Sequence, residues 1–194
     1  MRDILINYMK RYTDMKEKDL EAIASEVKII AFNKGKVLLH QGEIPDQCYF
    51  ILKGCIRKFS VNEEGKEMTV QFYTEEQSVT IFNRHEADKT SKYSLSCVED
   101  CVLVVGDLTT EEQARGRDVG LETMILSMME GDIGKMHDEF ASFISSSPAT
   151  RYRTLLENRP DLIKRVPQHQ LASYLGMTPE SLSRIKKRSG SSLK

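Results

Sequence analysis

Between Gln168 and Arg188 the sequence QHQLASYLGMTPESLSRIKKR collects side chains whose chemistry suits the edges of base pairs. Arg184 offers parallel donors that match the O6 and N7 of guanine, and Glu180 offers an acceptor for the N4 amine of cytosine. The hydroxyls of Ser181 and Ser183 serve bases or phosphates. Lys187, with Lys186 and Arg188, supplies charge against phosphate. Gln168 and Thr178 complete the set of expected DNA contacts. A plain surface helix pair with a solvated basic end would share some of this composition, so the elements that position these groups must be weighed.

Those elements read as a helix-turn-helix. A short helix, Gln168 to Leu175, puts Leu171, Ala172 and Leu175 on one apolar face. Gly176 lets the chain leave that helix. Thr178 is a good N-cap for a second helix, and Pro179 suits its first position, where a missing N–H costs nothing. Leu182 and Ile185 then face inward, while Glu180, Ser181, Ser183, Arg184 and Lys187 face outward. Ala172 is small where two helices cross closely.

The sequence Glu180-Ser181-Leu182-Ser183-Arg184 resembles the E-x-x-S-R recognition-helix signature of Crp/Fnr-type transcription regulators, particularly their Fnr-like branch. The resemblance implies base readout by Glu180, Ser183 and Arg184, at a half-site similar to TTGA. Upstream, Gly35-x-x-Leu38, Gly42, Tyr49-x-Ile51-x-x-Gly54-x-Ile56 and Gly65-Lys66-Glu67 resemble the β-roll of cyclic-nucleotide-binding domains. The order of the two patterns extends the likeness over nearly the whole chain. Members that bind cyclic nucleotides carry a Gly-Glu pair and an Arg-Ser/Thr-Ala run. The corresponding stretch here, Glu75 to Cys97, has neither, and its bases Arg84, Lys89 and Lys92 sit outside any such motif. Cyclic AMP is therefore not expected as the effector. No cysteine precedes Cys48, so the N-terminal iron–sulfur cluster of some Fnr-like members is not expected either.

Charge distribution agrees with a nucleic-acid-binding end. From Ala149 to Lys194 there are 10 Lys/Arg against 3 Asp/Glu, a net of +7; the preceding residues hold 18 against 26, a net of −8. A basic C-terminal module behind an acidic body is the electrostatic footprint expected of a DNA-binding protein. The chain has 194 residues, 40% hydrophobic and 29% charged, with no long uncharged apolar run and no signal-peptide pattern. A cytoplasmic protein without a membrane partner is expected.

Read in order, Ile4 to Tyr12 and Lys18 to Val27 are amphipathic helices, Leu20, Ile23, Ala24 and Val27 lining one face of the second. Alternating and β-branched runs follow: KIIAF, KVLLHQG, YFILKG, IRKFSV, MTVQFY, YSLSCV and CVLVVG. Asn62 to Lys66 reads as a hairpin loop. Many short strands at close spacing predict a jelly-roll barrel. Glu111 to Arg115 reads as a turn of helix. From Val119 to Ile144, Ile125, Met129, Ile133, Met136, Phe140 and Phe143 recur at near-heptad spacing, with Met124, Met128 and Ile144 widening the stripe. Such a stripe packs on the chain's own barrel, on a second copy, or on both. The resemblance makes it the dimer helix. Ser145 to Pro148 then breaks it as a hinge. A basic helix follows from Ala149 to Asn158, with Tyr152, Leu155 and Leu156 inward. Arg159-Pro160 closes it, and Val166-Pro167 leads into the motif.

The expected fold class is thus α+β: an N-terminal jelly-roll sensor (residues 1–118), a dimerisation helix and hinge (119–147), and a small helix-turn-helix domain (148–194) with a truncated or missing wing. No catalytic residues, metal or other cofactor are expected. His40 and His85 fall on different elements, and no His-x-His pair suggests a barrel enzyme. His137 and His169 are expected on exposed helix faces. The four cysteines, Cys48, Cys55, Cys97 and Cys101, read as buried small hydrophobes or, alternatively, as a thiol sensor. Because Cys97 and Cys101 fall in strand-like sequence, they are not expected to face each other. The partners expected are double-stranded DNA carrying an inverted repeat, a second copy, RNA polymerase, and an unidentified small effector. The alternatives are a cyclic-nucleotide-responsive regulator and an interaction module with a vestigial helix-turn-helix.

Overall fold

The seven β-branched runs and the short segment Ser78–Val79 form eight strands in the computed structural model, which describes residues 1–79, 88–107 and 119–191. They are β1 (Lys28–Phe32), β2 (Val37–Leu39), β3 (Gln47–Lys53), β4 (Ile56–Val61), β5 (Glu67–Tyr73), β6 (Ser78–Val79), β7 (Ser94–Cys97) and β8 (Cys101–Asp107). Two four-stranded antiparallel sheets result, in the orders β1-β8-β3-β6 and β2-β7-β4-β5. The sheets face each other as a jelly roll and do not close into a barrel. Ile51, Ile56, Leu95 and Leu103 fill the space between them. The Asn62–Lys66 loop joins β4 to β5 as expected: the Asn62 side-chain oxygen accepts the backbone N–H of Glu64 (3.1 Å) and of Lys66 (2.8 Å). The expected helical turn at Glu111–Arg115 lies outside the described residues.

Each sheet needs cover on its outer face, and that need explains the helices. Two helices, α1 (Arg2–Met9) and α2 (Glu17–Glu26), bury Leu5, Tyr8, Met9, Leu20 and Ala24 against Phe50, Leu52 and Val104. Sheet one is therefore apolar on both faces, which is why β3 reads YFIL without alternation. Helix α3 (Val119–Ser145) follows the roll and adds Met124 to the same cluster. No helix among the described residues is long and apolar enough to cross a membrane.

Four shorter helices follow among the described residues: α4 (Pro148–Asn158), α5 (Pro160–Arg165), α6 (Gln168–Tyr174) and α7 (Pro179–Ser191). The Ser145–Pro148 break forms as anticipated, with Ser147 accepting the Thr150 N–H at 3.2 Å. Arg159-Pro160 closes α4 as expected, with Arg159 at its C-cap, and Pro160 also opens α5, on which Leu162 is wholly buried. One expectation fails here: Leu156 is not inward but 37% exposed, leaving Tyr152 and Leu155 as the buried side chains of α4.

Among the described glycines, Gly54, between β3 and β4, has the least room for a side chain. Its φ is +110°, and a Cβ there would lie 2.6 Å from the Cys101 sulfur and 2.8 Å from the Cys101 Cα. Neither contact can be relieved by a flexible side chain alone. Gly54→Ala is expected to destabilise the fold by more than about 1 kcal/mol, measured by urea denaturation. A midpoint equal to wild type would contradict the packing described for this turn.

Candidate nucleic-acid interface

The helix-turn-helix geometry is built from local bonds that the sequence specifies. At the end of α6 the N–H of Met177 bonds the carbonyl of Ala172 (3.0 Å) and the N–H of Gly176 bonds that of Ser173 (3.1 Å). This is a Schellman termination, with Gly176 at φ +68°. Thr178 then caps α7, its hydroxyl accepting the Ser181 N–H at 3.3 Å. Leu171, Ala172, Leu175 and Leu182 are buried, and Ile185 packs against them. Every apolar position read from the motif therefore lands inside.

The polar positions land outside to differing degrees. Gln168, Thr178, Glu180, Arg184 and Lys187 are exposed, whereas Ser181 and Ser183 are half-buried. Arg184 donates to the Ser181 hydroxyl at 3.2 Å, so its guanidinium is held along the helix. Backbone and Thr178 hydrogen bonds at the helix start, with the charge of Arg184, keep the Glu180 carboxyl below its ordinary value. One face of α7 thus presents an ionised acceptor and a guanidinium one helical turn apart. That spacing suits adjacent base pairs in a major groove.

The helices that carry this face are fastened to the roll. Phe72 of β5 is wholly buried and meets Tyr174 of α6 edge-on, with ring centroids 5.3 Å apart. Cys55, Phe72 and Val98 of the roll share one apolar core with Tyr152, Leu155, Leu162, Val166, Leu171 and Leu182. β5 is an edge strand, and α6 covers it: the Thr69 N–H donates to the Ser173 hydroxyl at 2.9 Å. Arg159 donates to the Phe72 carbonyl and to the Thr74 hydroxyl, both at 3.1 Å. Arg165 donates to both carboxylate oxygens of Glu75 (2.8 Å each) and to Glu99 (2.9 Å through Nε).

Residues 29–111 match the family model of the cyclic nucleotide-binding domain. The roll is a cyclic nucleotide-binding domain. No curated protein matches the chain. Among solved structures, FixK2 from Bradyrhizobium japonicum superposes with a TM-score of 0.70 at 16% identity, covering 86% of this chain and 85% of that one. CLP from Xanthomonas campestris gives 0.70 at 14% identity, covering 91% and 93%. A transcriptional regulator of the CRP/FNR family from Thermus thermophilus gives 0.61 at 16%, covering 85% and 87%. These likenesses establish the fold, from the cyclic nucleotide-binding domain through the C-terminal helices.

Helix α3, which follows the cyclic nucleotide-binding domain, carries an apolar stripe whose described side chains are exposed. Ile133, Met136 and Phe140 are exposed, as are Leu126 and Ile144; Leu126, Ile133 and Phe140 are spaced by seven. Leu126 was not singled out from the sequence, although its sevenfold register with Ile133 and Phe140 was available. The side chains of Ile125 and Met129 lie outside the described residues. Phe143 is half-buried, because Arg151 of α4 lies 3.7 Å above its ring and donates to its carbonyl at 3.0 Å. Arg151 also donates to the Leu175 carbonyl at 3.1 Å. It thereby joins the end of α3 to the helix-turn-helix corner, and nothing in its local sequence signals that role.

Inside the cyclic nucleotide-binding domain, Lys58 sits 4.2 Å above the Tyr93 ring, and burial pushes its ammonium below the ordinary value. Glu111 to Arg115 and Arg84 and His85 of the cassette region lie outside the described residues; His40 is exposed. Among the described residues no three His, Cys, Asp or Glu side chains are grouped to hold a metal ion.

The Arg165 cluster generates a pH prediction. Burial alone would raise the Glu75 carboxyl, but the Arg165 and Gly54 hydrogen bonds outweigh it and bring the value below the ordinary 4.5. A carboxyl lowered on folding stabilises the fold above its unfolded value, and that gain is lost as pH falls through the folded one. Melting temperatures of wild type and Arg165→Gln should therefore differ at neutral pH and converge as pH drops below 4.5. A difference that persists undiminished into acid would assign the effect to packing alone.

Proposed function

We propose that the chain is a sequence-specific, DNA-binding transcription regulator of the Crp/Fnr type that acts as a homodimer. The observation that carries this reading is the exposed Glu180–Arg184 face of α7, presented by a well-formed helix-turn-helix. In this reading Glu180, Ser183 and Arg184 read bases. Gln168, Thr178, Ser181 and Lys187 fix the helix against the duplex. The fold shared with FixK2 and CLP supports the reading. The sequence falls into a sensor (1–118), a connecting helix with its hinge (119–147) and a DNA-binding unit (148–194). RNA polymerase is a partner of the DNA-bound form, and the protein works in the cytoplasm.

The second copy is supported by the α3 stripe. A soluble chain does not leave Ile133, Met136 and Phe140 in water at coiled-coil spacing without cost. Pairing two α3 helices along it buries them and places two α7 helices about a common twofold axis. Two recognition helices enter successive major grooves only when about 34 Å apart. An effector in the roll acts by favouring one spacing over another, and only through unequal affinity for the two.

That effector is not cyclic AMP. The stretch Glu75–Cys97 lacks the Gly-Glu pair and the Arg-Ser-Ala run that hold a cyclic phosphate. CLP, with the same fold, is described as responsive to cyclic di-GMP, so one fold accommodates more than one response.

Three outcomes follow. Selection from a random DNA pool returns an inverted repeat, and Arg184→Ala loses about 1–3 kcal/mol of discrimination at one base pair per half-site without altering the fold. A variant that keeps the wild-type preference would remove Arg184 from base readout. Ile133→Asp with Phe140→Asp yields a monomer by sedimentation, whereas a dimer in the double variant would refute the α3 interface. Calorimetry with cyclic AMP shows no heat of binding; saturable heat would instead make this a cyclic-nucleotide-responsive regulator.

A further inference from the structure

Two adjacent cations on β4 have opposite surroundings. Arg57 is almost wholly buried and fully paired: its guanidinium donates to the Thr69 hydroxyl at 2.8 Å and meets the Glu67 carboxylate. Lys58 faces the other way. Ile56, two residues earlier on the same strand face, belongs to the core between the sheets. In the strand register Lys58 stands between Gln71 of β5 and Leu95 of β7, and Leu95 belongs to that same core. Tyr93 packs against the core as well, and its ring centroid lies 4.2 Å from the Lys58 ammonium. No carboxylate among the described residues pairs with that ammonium. The face of a tyrosine compensates only part of the hydration that an ammonium loses on burial.

The surroundings of Lys58 suit an anion. Burial opposes its positive charge, and a bound negative group would restore the balance. Lys58 is half-buried and the two sheets do not close over it, so the side chain is not sealed from solvent. Gln71, also half-buried, supplies a second donor. Directly opposed residues on antiparallel strands have Cβ atoms about 5 Å apart, so one oxyanion can touch both side chains. The Gln71 amide has a further engagement: its Nε2 donates to the Glu139 carboxylate of α3 at 3.2 Å. The group that would meet the anion is therefore the group that ties β5 to α3.

We propose that Lys58 and Gln71 hold the carboxylate or phosphate group of a small organic anion inside the roll, and that binding releases Gln71 from Glu139. This names the chemical class of the effector, and it rests on the reading that the roll takes one. Lys58 supplies from β4 the positive charge that the Glu75–Cys97 stretch, without an Arg-Ser/Thr-Ala run, does not supply in that form. An oxyanion beside Gln71 accepts from its Nε2 in place of Glu139 and repels that carboxylate. Leu95 and the Tyr93 ring flank the site, which suits the carbon skeleton of an organic acid more than a bare ion. Glu139 precedes Phe140 of the exposed stripe, so the change reaches the helix surface on which a second copy would pair.

The test uses the full chain without DNA, so its failure leaves the DNA-binding reading standing. Melting temperatures are measured with succinate, glycerol 3-phosphate and cyclic AMP, the ionic strength held constant with sodium chloride. A ligand that binds only the folded state raises the melting temperature saturably. Wild type should respond to succinate or to glycerol 3-phosphate, and which of the two acts identifies the group as carboxylate or phosphate. Lys58→Met, which keeps an unbranched stem over Tyr93, should lose the response, and Lys58→Arg should keep it. Gln71→Leu should weaken the apparent affinity several-fold, and Glu139→Gln should strengthen it several-fold. No response to either acid, a response that survives in Lys58→Met, or an affinity indifferent to both Gln71→Leu and Glu139→Gln would overturn the proposal. A response to cyclic AMP alone would overturn it together with the exclusion of that nucleotide.

Discussion

The structure depends on the burial of Phe72 between a sheet and a helix bundle. A two-sheet roll has outer faces and edges that water would reach, and β5 is an edge strand with an aromatic pointing outward. Helix α6 satisfies both needs, placing Tyr174 on the ring and Ser173 on the strand's N–H. The helix-turn-helix is therefore not tethered beside the roll. It completes the roll's surface, and the roll completes its core. The direction in which α7 faces solvent follows from that contact.

Magnitudes separate the contributions. Emptying a fully buried Phe position costs about 3–5 kcal/mol, whereas a partly exposed ion pair contributes about 0–1 kcal/mol. The shared apolar core thus supplies the attraction, and Arg159 and Arg165 set the orientation. Arg159 bonds a carbonyl and a hydroxyl that β5 and its following turn present at fixed positions. Arg165 reaches carboxylates from two separate turns of the roll, Glu75 and Glu99. A change at either turn is consequently felt by the helices. That is the structural reason a change in the roll can reach the helices that carry α7.

Much of this was legible in the sequence because it is local. Gly176, Thr178 and Pro179 announce a turn and a cap within four residues, and Leu171, Ala172, Leu175 and Leu182 keep helical spacing. The β-branched runs likewise marked seven of the eight strands, missing only the two-residue β6, too short to show alternation. What was not legible depends on distant partners. Leu156 has the same type and nearly the same spacing as Leu155, and only the position of the roll decides which is buried. Arg151 and Arg165 look like ordinary members of a basic segment; their roles come from carbonyls and carboxylates many residues away. Pro160 was read as a stop because proline ends helices, although it equally begins them.

The central claim is that roll and helix-turn-helix share one core, and native-state hydrogen exchange tests it most directly. Cooperative units exchange through a common opening, so amides that depend on one core report one free energy. The N–H of Leu175, the C-cap of α6, bonded to the Leu171 carbonyl, and the Ile51 N–H on β3, bonded to the Gln77 carbonyl, are suitable reporters. The account predicts that both exchange with the same opening free energy and the same denaturant dependence. An α6 that opens at much lower free energy while β3 stays protected would show two independent bodies and contradict it.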